Sequence, residues 1–220
     1  MSSRDVLEIV LIFGLLGFLF WRNLPGAVAF VRPGAIRYRV EGGPAAAHAT
    51  RSPATREMIA ALEDLGFTPL GTAVEKRPLR PGRHEIVLAN PEERAFAVVA
   101  PVGSEAWLHY FTAFEDGGAV ITADYHWPSV EEPGYLAGGL PGAGPQEILN
   151  THRRRVQRLV EEGRAVDDRY TLEARAETAE AFYARGPGRR EVRRREIKGM
   201  MFTTAALIVV LLTAIDAARR

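Results

Sequence analysis

Both ends of this 220-residue chain are hydrophobic, which constrains how everything between them can fold. Residues 6–21 (VLEIVLIFGLLGFLFW) are apolar except for Glu8, and residues 199–215 (GMMFTTAALIVVLLTAI) carry no charge. A helix needs roughly 20 apolar residues to cross a bilayer, with a lower limit near 17. We therefore predict transmembrane helices over residues 5–22 and 199–216. The polar region between them is long enough for one domain and hardly for two.

The first hydrophobic segment has a second interpretation, a secretory signal peptide that is removed. Ala27-Val28-Ala29 supplies the small-residue pattern of a cleavage site. Two features favour an uncleaved anchor: the leading MSSRD is nearly neutral, and Trp21-Arg22 interrupts the approach to the site. The second segment could alternatively be a buried core helix. It is apolar on every face, however, whereas a helix of a soluble protein is normally polar on one. Sequence alone leaves open whether the first segment is retained.

Basic residues beside the two segments predict how the chain is oriented in a membrane. Lysine and arginine are concentrated on the inner flanks, at Arg22, Arg32, Arg37, Arg39, Arg185, Arg189, Arg190, Arg193, Arg194, Arg195 and Lys198. The outer flanks carry only Arg4, Arg219 and Arg220. This bias predicts a two-pass protein of the inner (cytoplasmic) membrane, with a cytoplasmic central domain and both tails on the far side. The arginine-rich, lysine-poor composition suggests a bacterial source.

The region between the spans carries a run of strand patterns with helix patterns before and after it, which is typical of an α+β domain. Ser52-Pro53 begins a predicted helix, with Ser52 as its N-cap. Alternating apolar residues and flanking turns predict strands over residues 36–40, 68–75, 84–89, 95–100, 106–114 and 119–127. Further helices are predicted over residues 145–162 and 168–185. We expect a single antiparallel β-sheet with flanking helices, in a domain that covers residues 35–185.

Three segments between these elements are interpreted as connections. Residues 22–34 contain Pro25-Gly26 and are expected to be an irregular link from the first span to the domain. Residues 128–144 are rich in proline and glycine and are expected to form a long loop, which is unusual in a compact domain and often functional or mobile. Residues 186–198 form a basic juxtamembrane segment, which we expect to continue as one helix into the second span.

The composition and the missing motifs exclude several classes of function. The chain has no cysteine, which rules out disulfides, thiol catalysis, iron–sulfur clusters and thiolate zinc sites. The signatures of phosphate-binding loops, dinucleotide folds, zinc proteases and serine hydrolases are missing, so we predict no cofactor. A net charge of +1 predicts no global field for nucleic acid. The basic run Arg153-Arg154-Arg155 has no interleaved aromatic residue for stacking on bases, so no nucleic-acid partner is expected.

One constellation of chemically capable residues follows from the predicted hairpin. A two-residue turn at Asp116-Gly117 places His109 opposite Asp124, and one at Gly117-Gly118 places His109 opposite His126. Either turn puts all three side chains on one face of adjacent strands. Two imidazoles and a carboxylate could ligate zinc or non-haem iron, or form an acid/base pair. They could equally be the polar half of an ordinary sheet.

The basic segment before the second span is denser in charge than orientation requires. We expect its side chains to contact anionic lipid headgroups, namely Arg189, Arg190, Arg193, Arg194, Arg195 and Lys198. The alternative is that they form the usual positively charged flank of a span. A further polar residue, His152, falls on the apolar stripe of a predicted helix, and we expect a core histidine that bonds to the backbone.

These patterns support three hypotheses for function. The first is a membrane-anchored, non-enzymatic adaptor, assembly factor or complex subunit, whose partner is another membrane protein or a second copy of the chain. The second is a module that senses a small molecule or lipid in a pocket between sheet and helices. The third is a membrane-tethered enzyme built on His109, Asp124 and His126. A pocket lined by convergent polar groups would favour the second or third, and a filled interface would favour the first.

Overall fold

The computed structural model describes residues 3–49 and 52–219, with side chains described at 13–49, 52–213 and 215. The helices are α1 (Ser3–Val31), α2 (Pro44–His48), α3 (Pro53–Asp64), α4 (Pro145–Glu161), α5 (Leu172–Ala184) and α6 (Gly188–Arg219), with a short 3-10 turn at Pro33–Ala35. The strands are β1 (Arg37–Gly42), β2 (Thr68–Lys76), β3 (Arg83–Asn90), β4 (Ala95–Val102), β5 (Glu105–Ala113), β6 (Ala119–Ala123), β7 (Val130–Glu132) and β8 (Tyr135–Gly139). This is an α+β architecture around one eight-stranded sheet.

The sheet is mixed, so the prediction of a purely antiparallel sheet is wrong. Its strand order is β1-β2-β3-β4-β5-β6-β8-β7, and every neighbouring pair is antiparallel except β6 and β8, which are parallel. The two strands that the sequence analysis missed, β7 and β8, lie in the segment that was expected to be a loop. They form a hairpin around Pro133-Gly134, and β8 inserts beside β6 with Tyr135 opposite Ala119.

The glycines that suggested a loop have a packing role at the end of β8. A Cβ atom at Gly139 would lie 2.0 Å from the carbonyl oxygen of Tyr125, in the connection that crosses over from β6. Only glycine allows the two backbones to approach this closely. The glycine content of residues 128–144 therefore reflects a tight crossover and not an absence of strand.

Helices cover both faces of the sheet. On one face α3 and α4 pack on the sheet through aliphatic residues, among them Ile59, Leu62, Leu88, Val99, Leu108, Ile148 and Leu149. On the opposite face α5 and the first turns of α6 pack on residues that include Val87, Phe96, Phe111, Ile121, Phe182 and Val192. As predicted, α3 begins with Ser52, whose hydroxyl accepts a hydrogen bond from the backbone N–H of Thr55. By contrast the helix predicted to begin at residue 168 begins later, at Leu172, after the N-cap Thr171, whose hydroxyl accepts a hydrogen bond from the backbone N–H of Ala174.

The terminal helices are longer than their apolar segments and pack against each other. The prediction of an irregular connector over residues 22–34 is wrong, because α1 continues through Pro25 to Val31 before the chain turns. The basic segment continues without a break into the second apolar segment, as predicted. The two helices approach closely at Gly26 and Gly199, where a Cβ at Gly199 would lie 3.1 Å from the Cα of Gly26. Small residues at such crossings are typical of paired membrane helices.

Two helices are long and apolar enough to cross a membrane, by length and composition: Phe13–Val31 within α1 and Gly188–Thr213 within α6. Their apolar side chains are mostly exposed, including Phe13, Phe18, Trp21, Phe202, Leu207, Ile208, Leu211 and Leu212. That exposure differs from a core helix, which buries its apolar surface inside the protein. The side chain of Glu8, the one charge in the first apolar segment, lies outside the described side chains.

Candidate functional site

The β5–β6 hairpin has a different register from both predicted alternatives. Residues 114–118 form a five-residue connection, so that Ala113 lies opposite Ala119 and His109 lies opposite Ala123. The turn closes through a hydrogen bond from the Gly117 N–H to the carbonyl of Phe114, and Phe114 itself bridges to Val166 outside the hairpin. An odd number of connecting residues shifts the register by one, which moves the side chains of one strand to the opposite face.

The register separates the three predicted site residues. His109 is buried beneath α5 and α6, His126 is exposed, and Asp124 is half-buried and accepts a hydrogen bond from the backbone N–H of Leu108 at 2.9 Å. Their predicted placement on one face is therefore wrong. Across the described part of the chain, no group of three His, Cys, Asp or Glu side chains is placed to hold a metal ion.

Burial shifts the pKa values of two of these residues in opposite directions, and in both cases it favours the neutral form. The pKa of Asp124 rises to about 6 because burial outweighs the stabilising hydrogen bond from Leu108. The pKa of His109 falls well below its usual range, first through burial and then through the nearby positive charges of Arg175 and Arg83. His109 is therefore a neutral imidazole near pH 7.

His152 on α4 is a core residue, as predicted, but its partners are side chains and not the backbone. Its Nε2 lies 2.9 Å from the Thr112 hydroxyl and its Nδ1 lies 3.1 Å from the Thr122 hydroxyl. Thr112 donates to the carbonyl of Arg94 at 2.6 Å, which leaves its oxygen to accept from His152 Nε2–H. Burial, reinforced by the charge of Arg155, lowers the pKa of His152 to about 3. The imidazole is thus neutral and locked in one tautomer.

A buried polar cluster, whose Arg83 and Arg195 side chains remain 37% and 31% exposed at its rim, lies on the other face of the sheet, and the sequence analysis missed it. Its members come from β1, β2, β3, β5, the segment after β6, α5 and α6: Tyr38, Glu75, Arg77, Arg83, Glu85, His109, Trp127, Arg175, Tyr183, Glu191 and Arg195. A signal for part of it is present in the sequence. Glu85, near the start of β3, falls on the same inward-facing alternate positions as Val87 and Ala89, so a charge that faces the core was predictable.

Glu75 is the most extensively bonded carboxylate of the cluster. It is only 2% exposed and accepts hydrogen bonds from the Tyr38 hydroxyl at 2.6 Å and from Arg77 Nε at 2.6 Å. Burial alone would raise its pKa, but the charges of Arg77 and Arg83 and these hydrogen bonds outweigh burial and lower the pKa to about 2. Glu75 is therefore a stably ionised group that holds two arginines at the end of β2.

Glu85 and Arg83 form a second ion pair one strand further along. Glu85 is 1% exposed and accepts a hydrogen bond from Arg83, whose side chain also reaches Glu75 at 3.4 Å. Burial raises the pKa of Glu85, with Arg83 opposing the shift and the charge of Glu75 adding to it. The two carboxylates therefore compete for the guanidinium of Arg83, and the negative charge of Glu75 is better compensated than that of Glu85.

The α6 side of the cluster is held by Arg195. Its Nε donates to Glu191 at 2.6 Å, and its guanidinium lies 3.9 Å from the centre of the Trp127 ring. Glu191 is 3% exposed, and its second carboxylate oxygen has no hydrogen-bond partner within the described residues. The Glu191 pair lies within α6 and orients Arg195, and the cation–π contact with Trp127 then joins the start of this helix to the segment that follows β6.

The remaining basic residues of this segment divide into two groups. Arg190 and Arg194 pair with Glu132 on β7, at 2.5 Å and 3.4 Å, and so contact the domain. Arg189, Arg193 and Lys198 are exposed. Of the six predicted headgroup ligands, these last three carry no ion pair in the described part of the chain.

A second contact ties the domain to the paired terminal helices. Arg80, in the connection between β2 and β3, donates to Glu196 on α6 at 2.7 Å. The carboxylate of Glu196 also borders Gly26, where an added Cβ would lie 2.9 Å from it. Leu79, next to Arg80, is 63% exposed in the left-handed backbone region, with φ 56°. This connection therefore presents an apolar side chain beside the point where the apolar segment of α6 begins.

Comparison with known proteins adds no family to this picture. No protein-family model matches the sequence, and neither the curated proteins nor the solved structures give a match. What can be inferred about function therefore rests on the geometry of the two terminal helices and of the buried polar cluster.

Proposed function

We propose that this chain is a membrane-anchored, non-enzymatic adaptor, assembly factor or complex subunit of the inner (cytoplasmic) membrane. Its α1 and α6 helices cross the bilayer as an antiparallel pair, and its α+β domain lies on the cytoplasmic side. The charge bias of the flanks supports this orientation. The partner is a second membrane protein or another copy of the chain.

One observation carries this proposal: the two terminal helices are part of the core of the domain. Ala29 of α1 and Val192 of α6 are 2% exposed and pack in the same apolar cluster as Phe182 of α5. A tethered enzyme needs only a flexible link to the membrane. Two helices that enter the core fix the distance and orientation of the domain relative to the bilayer, as expected where that position matters for assembly.

The loop that contains Leu79 supports the same arrangement. Arg80 connects it to Glu196, three residues before the uncharged segment begins at Gly199. We place Leu79 at the headgroup–acyl boundary, where an exposed leucine is stabilised by lipid contact. Arg189, Arg193 and Lys198 would then face anionic headgroups. The domain would contact the bilayer at three points, namely the two helices and this loop.

The proposal is tested by purifying the tagged full-length protein after chemical cross-linking in its native membrane. We expect one stoichiometric protein partner, or a discrete homo-oligomer, to remain bound in mild detergent. A flexible Gly-Ser insertion in α6 after Ile197, between the turns that pack on the domain and the uncharged segment, should abolish that species while the domain stays folded. The same insertion in the exposed β4–β5 turn at Gly103 is the matched control and should retain it. Recovery of the wild-type chain only as an isolated monomer would contradict the proposal.

A further inference from the structure

The buried polar cluster surrounds a small, partly open cavity between the sheet, α5 and α6. Its volume is about 20 Å³, enough for one species the size of a water molecule. Arg175 of α5, Arg83 of β3, His109 of β5 and Arg195 of α6 line it, together with aromatic rings. The cavity thus lies where three layers of the domain meet.

Arg175 is the unusual member of this lining. It is 4% exposed, and its Nε and Nη1 have no hydrogen-bond partner within the described residues. Its guanidinium lies over the rings of Phe111, at 4.4 Å, and Tyr38, at 5.5 Å. Cation–π contacts offset only part of the cost of burying a charge. A buried guanidinium with unused N–H groups that borders this small cavity requires an acceptor there.

The charges around the cavity do not balance. The four guanidiniums of the cluster face three carboxylates: Glu75 pairs with Arg77 and Arg83, Glu85 with Arg83, and Glu191 with Arg195. Within the described residues no ion pair includes Arg175, so one positive charge is left uncompensated. His109 does not supply a negative charge, since a neutral imidazole carries none. Donors are also in excess, because the Nε and Nη1 of Arg175 and the Nε of Arg83 lack partners, against one unpaired carboxylate oxygen, Oε2 of Glu191.

We propose that this cavity is an internal site for one small monatomic anion of about chloride size, bound by Arg175. A water molecule could fill the volume and accept the hydrogen bonds, but it would leave the excess charge uncompensated. Sulfate or phosphate is larger than one water and exceeds the space. The inference goes beyond the proposed function and does not depend on the membrane topology. Because Arg195 belongs to α6, the anion would also strengthen the attachment of that helix to the sheet.

The test is the thermal unfolding of the full-length protein in detergent micelles as chloride replaces gluconate at constant ionic strength. An anion that binds only the folded state raises the unfolding midpoint with its concentration. In about 100-fold excess over its Kd, chloride should raise the midpoint by roughly 5–10 °C, and bromide should act in the same way. Sulfate should act like gluconate. Equal midpoints in chloride and gluconate for the wild type would overturn the proposal.

Two variants and one crystallographic measurement complete the test. Arg175→Met should remove the chloride dependence, whereas Arg154→Met, at an exposed arginine on α4, should retain it. Retention of the dependence in Arg175→Met would place the anion elsewhere and overturn the assignment. If Arg175→Met does not fold, crystals of the wild type grown in bromide decide the question. An anomalous peak beside Arg175 Nε supports the site, and a cavity that holds only water refutes it.

Discussion

Acidification should destabilise the domain through one buried histidine, His152. Its ring accepts a hydrogen bond from Thr122 at Nδ1 and donates one to Thr112 from Nε2, and Arg155 donates to the Thr122 oxygen at 3.0 Å. A protonated ring would carry a second N–H that points at Thr122, whose hydroxyl hydrogen already faces the ring. Protonation of the folded protein is therefore disfavoured by burial, by Arg155 and by this hydrogen-bond direction.

The size of the effect follows from the two pKa values of His152. Its pKa is about 3 in the folded protein and about 6.5 in the unfolded chain. As the pH falls, the unfolded state takes up the proton first, so the stability contributed by the neutral ring is complete above pH ~6.5 and is lost toward pH ~3. Between pH ~7 and pH ~5 the free energy of unfolding should fall by about 2 kcal/mol from this residue alone.

The assay is urea unfolding of the domain in the full-length protein in micelles, followed by tryptophan fluorescence at the two pH values. His152→Gln should be less stable than the wild type at neutral pH, but it should lose about 2 kcal/mol less on acidification. The other buried groups, including His109, titrate in both proteins, so the difference isolates His152. His126→Gln, at an exposed histidine, should behave as the wild type. Equal acid sensitivity of wild type and His152→Gln would refute the reasoning.

Three further predictions follow from the same contacts. Gly199→Leu should separate α1 and α6 and lower the thermal midpoint of the full-length protein, because its Cβ would lie 3.1 Å from the Cα of Gly26. Gly17→Leu should leave the midpoint unchanged, since a Cβ at Gly17 would have nothing within 4 Å. Equal midpoints for the two variants would contradict the close helix crossing. Glu75→Gln should lower the free energy of unfolding in urea by about 3 kcal/mol, because it leaves Arg77 and Arg83 without their shared carboxylate. Glu131→Gln, on the exposed edge of the sheet, should cause no measurable change. Since the pKa of Glu75 is lowered to about 2, its contribution to the free energy of unfolding should be present above pH ~4 and lost as the pH falls toward ~2. A Glu75→Gln protein as stable as the wild type at neutral pH would contradict this account. Substituting Arg189, Arg193 and Lys198 by Gln should weaken the preference for anionic over zwitterionic lipid, measured as lipid retained in native mass spectrometry, by roughly 1 kcal/mol of binding free energy per residue. The same substitution of the exposed arginines of α4 should leave this preference unchanged.

Features with local causes could be predicted from the sequence. The start of α3 is determined by the Ser52 cap and a proline at its first position, and the strands by short alternating runs. The continuity of α6 from the basic segment into the apolar one was also predictable, because no proline follows Gly188. The α+β class and two apolar helices of spanning length follow from these local signals.

The predictions that were wrong concern features that depend on contacts between residues distant in sequence. The hairpin register is displaced because Phe114 bridges to Val166, some fifty residues later, and this lengthens the turn. The parallel β6–β8 pair depends on a crossover that only backbone packing at Gly139 explains. α1 continues through Pro25 because its last turns pack on α6 and in the core of the domain.

The buried polar cluster was missed for a related reason. A glutamate such as Glu75 in a strand is expected on the solvent face. Here it is buried because Arg77 follows two residues later, Arg83 lies opposite on β3, and α5 covers all three. Likewise, nothing in the sequence around Arg175 distinguishes it from the exposed arginines that flank the same helix, Arg169 and Arg185. Its burial follows from which side of α5 faces the sheet.

The central claim, a cytoplasmic domain carried by a pair of membrane-spanning helices with both tails outside, is tested most directly by cysteine labelling. The chain has no cysteine, so each substitution introduces a unique site. In intact cells, a membrane-impermeant maleimide should label a cysteine appended after Arg220. It should label Ser104→Cys, in the exposed β4–β5 turn, only after the membrane is permeabilised. Labelling of Ser104→Cys in intact cells, or protection of the C-terminal cysteine, would contradict the account.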